Sequence, residues 1–273
     1  MTRDRSGFTL IELIVVAVLG ALILMAILQV LMTNQRTYTA QSAVVQGQQS
    51  SRMALEVLFN ELREASPGGG DIVSMSGNSI ELRLMRKFGI VCETDLGTLA
   101  VVPTVTVLNN TGDAFVADDS VFVFAENRDA TPNDDVWTAT EVAAVDATVT
   151  CLGQPATELE FDPLDAPLLQ ADTVKVGAAV RSFETFTFGM VTVLDEPYLG
   201  RMDSGGVMWP IAGPLRAGDG LQFVYRDAMG AITTTPTDVR QIEVRIRTGG
   251  SQVINSVGEP VRDSIDAWIY TRN

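Results

Sequence analysis

The sequence predicts an α+β protein: a long amino-terminal α-helix, transmembrane in its first half, packed by its second half on a β-rich head of two antiparallel sheets. Three observations predict it. Residues 8–32 are almost wholly apolar, residues 53–62 repeat their apolar members at helical spacing, and beyond residue 71 the apolar period falls toward two. The chain has 273 residues, enough to bury a core without a metal or disulfide staple. Its 34 acidic side chains outweigh 19 basic ones, which argues against direct nucleic-acid contact, since phosphate binding needs clustered Lys and Arg. The absence of histidine removes Ser–His and Cys–His catalysis and His-ligated zinc. No cofactor and no metal site is implied, and no enzyme activity is expected.

The first element is the apolar run. Residues 13–28 contain no polar side chain, and the wider stretch 8–32 adds only Thr9, Glu12 and Gln29. Twenty-five residues of helix extend about 37 Å, enough to cross a bilayer with some tilt. Arg3 and Arg5 precede the run, so the positive-inside rule puts the amino terminus in the cytoplasm and the rest outside. A plain signal anchor or a cleaved signal peptide would also begin this way. Residues 28–32 are bulky, however, and offer no small-residue cleavage site. Glu12 fits neither alternative well. A carboxylate costs roughly 2.5–3.5 kcal/mol at mid-bilayer, less near the interface, and usually has a partner.

Ser6-Gly7-Phe8-Thr9-Leu10-Ile11-Glu12 resembles the processing site of type IV pilins and type II secretion pseudopilins. The resemblance implies a leader of residues 1–7. A prepilin peptidase would cut it between Gly7 and Phe8, and the new Phe8 amine would be N-methylated. It implies that Glu12 pairs with the terminal amine of a neighbouring subunit, which would set register during assembly. Buried away from water, such a pair is strong, and a misaligned subunit leaves a charge unpaired. The implied partners are the peptidase, other minor pilins or pseudopilins, the major pilin, an inner-membrane assembly platform, and membrane lipid before assembly. The implied location is the bacterial inner membrane, single-pass with a periplasmic head, then a pilus or pseudopilus. Many major pilins carry a proline late in the apolar helix. The aligned residue here is Gln29, which predicts a straighter helix.

From residue 34 to residue 65 the helix continues as an amphipathic segment. Leu55, Leu58, Phe59 and Leu62 make one face, and Arg52, Glu56, Asn60 and Arg63 take much of the other. Two separate helices broken near Gly47 are the alternative. Ser66-Pro67-Gly68-Gly69-Gly70 ends the helix, and residues 66–72 form a linker.

The head, residues 73–273, shows its clearest alternation at 80–85, 120–124, 183–188, 221–226, 242–247 and 265–270, as half-buried antiparallel strands require. Residues 108–119, 126–135, 153–170 and 195–218 read as loops. Cys92 and Cys151 would face an oxidising compartment, where a disulfide between them is plausible and two buried thiols are the alternative. Glu126, Asn127, Asp129, Asn133, Asp134 and Asp135 are dense in oxygen ligands, but their spacing matches no EF-hand, and a solvated turn is the preferred reading. Trp209 and Pro210 read as a loop anchor on the sheet before a subunit contact. Arg240, Arg245 and Arg247 around Glu243 read as a solvated face of cross-strand pairs before a nucleic-acid patch.

A head of this size is large for a major pilin. The pattern at residues 238–247, with the last strand after it, is similar to the minor pilin PilW and to the J component of secretion pseudopili. So is the stretch 124–137. The expected function is therefore a minor, PilW-like pilin in a filament-priming or tip complex. A J-type pseudopilin is the runner-up, and a membrane-anchored extracytoplasmic enzyme is the third reading.

Overall fold

A computed structural model of the chain describes residues 9–96, 102–126, 135–162, 174–254 and 259–272. Helix α1 (Leu10–Glu64) is followed by a single 3-10 turn at Pro67–Gly69 and then by strands. These are β1 (Ile72–Met75), β2 (Ile80–Asp95), β3 (Thr104–Thr111), β4 (Ser120–Ala125), β5 (Val136–Asp146), β6 (Thr150–Cys151) and β7 (Gln154–Pro155). The chain goes on through β8 (Thr157–Phe161), β9 (Ala179–Val193), β10 (Glu196–Met202), β11 (Met208–Ala212), β12 (Leu221–Arg226), β13 (Gln241–Ile254) and β14 (Glu259–Tyr270).

Helix α1 runs unbroken for 55 residues, about 82 Å, through both Gln29 and Gly47. The alternative of two helices is thereby set aside. Gly47 marks a close approach instead: a Cβ there would lie 3.1 Å from the Thr248 hydroxyl on β13. The buried stripe is Ser51, Ala54, Leu58 and Leu62, spaced three or four residues apart. It is rotated from the face expected from sequence, because Phe59 stays 38% exposed while the small Ala54 is wholly buried. Small residues at 47, 51 and 54 let the helix sit close to the sheet. Ser50 donates to the Gly213 carbonyl at 2.7 Å and Ser51 to Asp263 at 3.2 Å. The Arg272 N–H, close to the last strand, closes the helix end on the Ala65 carbonyl at 2.9 Å.

The head holds two cores. In the first, α1 packs over the three-stranded sheet β12–β13–β14, and its leucines meet Ile242, Val244, Ile246, Leu82, Leu84 and Phe188. The hydroxyl of Tyr225 on β12 donates to the Ser76 carbonyl at 3.0 Å and ties this sheet to the β1–β2 hairpin. The second core, around Val107, Val121, Val123, Leu159, Phe161 and Val180, fills a closed barrel. Its strands pair antiparallel in the order β2–β3–β8–β5–β4–β9, and β9 pairs back to β2. The larger of the head's sheets therefore wraps onto itself instead of lying flat.

Closure follows from strand length. β2 has 16 residues and β9 has 15, long enough to belong to both cores. Their first contact, Ile80 with Phe188, backs the helix, and their last, Ile90 with Ala179, lies in the barrel. The register shifts between Met85 and Lys87. A bulge of this kind bends a strand and raises its twist, as a turn from one core to the next requires. Lys87, just past the bulge, pairs with Asp119 at 2.6 Å, both largely buried.

Segments expected as loops include strands. β3 extends to Thr111, β8 lies within 153–170, and β10 and β11 lie within 195–218. On the sheet of β13, Glu243 accepts from Arg245 at 2.8 Å and from Arg226 at 3.4 Å, and Asp219 pairs with Arg216 and Arg247. Arg245 and Arg247 are thus used in ion pairs, whereas Arg240 donates to the Thr237 and Val239 carbonyls, and the Glu243 carboxylate is buried and not solvated.

Two outcomes test this architecture. Leu58→Ala should destabilise the head by roughly 2–5 kcal/mol in urea unfolding, whereas Leu24→Ala should leave it within about 0.5 kcal/mol, because only Leu58 is in the core. The second concerns acid. Hydrogen bonds from Arg245 hold the Glu243 carboxyl below its ordinary range, with Arg226 adding to the effect. The unfolded chain then binds the proton more readily, so stability present above the unfolded value, about 4.3, is lost as pH falls through the lower folded one. Glu243→Gln should flatten the acid limb of a stability-against-pH curve and lower the neutral plateau.

Candidate functional site: the exposed amino-terminal helix

The amino-terminal half of α1 makes no use of the head. Seventeen large apolar side chains from Leu10 to Met32 are each roughly half exposed or more, with Leu10 at 78%. Burying each contributes about 1.5–3 kcal/mol, so the segment as a whole forgoes tens of kcal/mol if left in water. That exceeds the whole stability of an ordinary domain, about 5–15 kcal/mol. The segment therefore requires lipid or other protein around it. None of its most apolar 18-residue window is buried, and by length and composition it can cross a membrane.

Local chemistry prepares the helix for that medium. Past the apolar run, Thr33 donates to the Gln29 carbonyl at 2.9 Å, Thr37 to Thr33 at 3.0 Å and Thr39 to Gln35 at 2.9 Å. Each hydroxyl is satisfied within the helix and asks nothing of its surroundings. At the start, Thr9 is the N-cap. Its backbone N–H and its hydroxyl both lie 3.4 Å from Glu12 Oε2, one limb of a capping box. The Thr-x-x-Glu spacing is a readable signal for this cap, a local role for Glu12 beside the one the motif implies. Gly7 and Phe8, the expected cleavage and methylation positions, lie outside the described residues.

The remaining sequence candidates fall elsewhere. Cys92 on β2 and Cys151 on β6 form a disulfide, with their Cα atoms 6.4 Å apart. It joins a barrel strand to the small β6–β7 hairpin. Of the oxygen-rich loop, Asn127, Asp129, Asn133 and Asp134 lie outside the described residues. Glu126 and Asp135 are described, and among the described residues no three metal-ligating side chains cluster. Trp209 is not a loop anchor: it lies on the edge strand β11 opposite Arg201 and is 63% exposed.

Residues 2–28 match the prokaryotic N-terminal methylation motif. The match covers the amino-terminal segment alone; the free apolar helix and the β-rich head behind it have the α+β arrangement of a pilin-like fold. The motif implies processing by a prepilin peptidase and assembly with other pilins. No curated protein and no solved structure matches the chain.

The disulfide closes a loop of 59 residues, which on the chain-entropy model stabilises the fold by about 4 kcal/mol. A Cys92→Ser/Cys151→Ser variant should show a lower urea midpoint by a matching amount, with membrane insertion of α1 unchanged.

Proposed function

We propose that the chain is a minor type IV pilin of the PilW kind, a structural subunit and not a catalyst. It is inserted with its amino terminus in the cytoplasm and its head in the periplasm, cut between Gly7 and Phe8, and methylated at Phe8. It then enters a filament-priming or tip complex. The observation that carries the reading is the apolar half-helix, with Glu12 one turn past the processing site and no head contact of its own. A filament supplies what that half-helix needs, since neighbouring helices cover the apolar sides and an amine can meet Glu12. The large two-core head supports a minor role over that of a bulk subunit.

A J-type pseudopilin of a secretion system is the second reading. The same head pattern at residues 238–247 supports it, and its neighbours would differ.

The test is intact mass and amino-terminal sequencing of membrane-extracted protein, with and without the prepilin peptidase, followed by crosslinking to candidate subunits. The expected mature chain begins at methylated Phe8 only when the peptidase is present. Glu12→Ala should leave that cleavage intact while lowering recovery in sheared filaments about tenfold or more, the equivalent of losing one charge-assisted contact. A chain still beginning at Met1, or cut beyond residue 32, would sink the reading. Crosslinks to secretion pseudopilins in place of pilins would move it to the second one.

A further inference from the structure

The two main sheets of the head end in β1, β11, β12 and β14, and the first three of these edges are guarded. β1 has only four residues, and β11 carries Pro210. β12 gives its outer backbone groups to other segments. Its Phe223 N–H donates to the Gly77 carbonyl at 2.9 Å, and its Tyr225 carbonyl accepts from the Thr233 N–H at 3.0 Å. β14 is the exception: it runs for 12 residues with β13 as its strand partner on one side and, among the described residues, none on the other.

Which backbone groups face that open side follows from one bond. The Thr271 N–H donates to the Arg240 carbonyl at 3.2 Å. Antiparallel strands alternate, so Ile265, Ala267 and Ile269 turn their N–H and C=O groups to β13, while Ser264, Asp266, Trp268 and Tyr270 turn theirs outward. Among the described residues no backbone group pairs with these outward ones. The side chains of the same residues share the sheet face opposite the helix, where Trp268 is 58% and Tyr270 71% exposed. Phe59 of α1 belongs to this edge as well. Ser50 reaches Gly213 on the side of the large sheet, and Phe59, about two and a half turns later, lies on the opposite flank of the helix. That flank overhangs β14, because β12 is the strand tied to the β1–β2 hairpin and β14 is the one farthest from it.

Lipid does not reach this edge, since Ser51, where α1 meets Asp263 of β14, lies about 28 Å of helix beyond Met32. A second copy does not complete it. Copies standing in one membrane bring their β14 edges together running the same way, so that each outward N–H faces its own counterpart in place of a carbonyl. An antiparallel strand from a different chain meets every condition. Its backbone completes the ladder, and β-branched side chains cover Trp268 and Tyr270. A basic side chain meets the exposed Asp266, in keeping with the formal charge of −15 on the whole chain. We propose that the β14 edge takes up an extended segment of a different protein by strand addition. That segment is β-branched where it faces Trp268 and Tyr270, basic where it faces Asp266, and apolar on its other side against Phe59.

The test uses full-length protein in detergent and the peptide Thr-Val-Thr-Val-Lys-Val-Thr, dye-labelled at its amino end and amidated at its carboxyl end, followed by fluorescence anisotropy. In the proposed register the amides of its threonines and lysine face β14 and those of its valines do not. The peptide should bind saturably and slow amide hydrogen exchange across residues 264–270. N-methylation of the threonines and lysine should weaken binding about tenfold or more, because several hydrogen bonds are lost together, whereas N-methylation of the valines should leave it within about threefold. Asp266→Lys and Phe59→Ala should each weaken it several-fold, and neither side chain is in the core. No saturable binding would overturn the proposal. Equal loss from the two methylation patterns, or binding unchanged by both variants, would do the same. A dimer of the protein alone that the peptide dissociates would assign the edge to a second copy and overturn it too.

Discussion

The pairing of β2 with β9 is the contact on which the rest of the head depends. Its first half gives the helix a second surface to pack against, and its second half closes the barrel. Neither core could stand alone without those two strands, since each takes part of its apolar lining from them. The bulge at Arg86 lets one continuous pair serve both. It also turns Arg86 toward the helix, 3.8 Å from Glu61, while Lys87 turns to Asp119 beside the barrel. A second clamp works across the same joint. Asp71, just past the helix, is almost wholly buried and accepts both terminal nitrogens of Arg181 on β9 and the Ser66 N–H. A buried carboxylate is costly unless so fully paired. Its position leads the chain from helix to barrel with little freedom between them.

The helix was legible because it obeys two simple rules in succession. Apolar on every side through Met32, then apolar on one stripe from Ser51 onward, it changes medium along its length. Local pattern was enough for that, and for the strands that alternate cleanly, such as β12 and β13. The rotation of the buried stripe was not legible, because size and not polarity chose Ala54 over Phe59. Strands β10 and β11 were hidden by Pro197, Gly200 and Pro210, which read as loop signals. All three lie near the outer edge of the large sheet, where such residues do least harm to pairing.

Barrel closure could not have been read at all. Ile80 meets Phe188 across more than a hundred residues, and nothing in either neighbourhood names the other. The same holds for the open cavity beside the barrel. Arg181 sits in an ordinary alternating strand, and Asp135 looked like one more acid in a soluble loop. Only the fold brings the two into one cavity wall with Trp137, whose ring lies under the Arg181 guanidinium. The arginines were more legible: the preferred reading of paired charges agrees with Arg226, Arg245 and Arg247, which are used in ion pairs within the head.

Glu12 shows how weak contacts can suit a transient state. Its two donors lie at 3.4 Å, at the long end for a hydrogen bond, and both belong to Thr9 of the same chain. Such a cap keeps the carboxylate from being bare at the helix start, yet gives it little to lose. A charged amine at ordinary ion-pair distance, about 2.7–2.9 Å, is a far stronger partner. On the proposed reading the exchange runs downhill when a neighbour arrives, and the local cap reforms if the neighbour leaves. Binding the carboxylate tightly within its own subunit would have removed that driving force. The long hydrogen bonds therefore fit a subunit whose stability resides in its head and whose helix start is left to be completed by another chain.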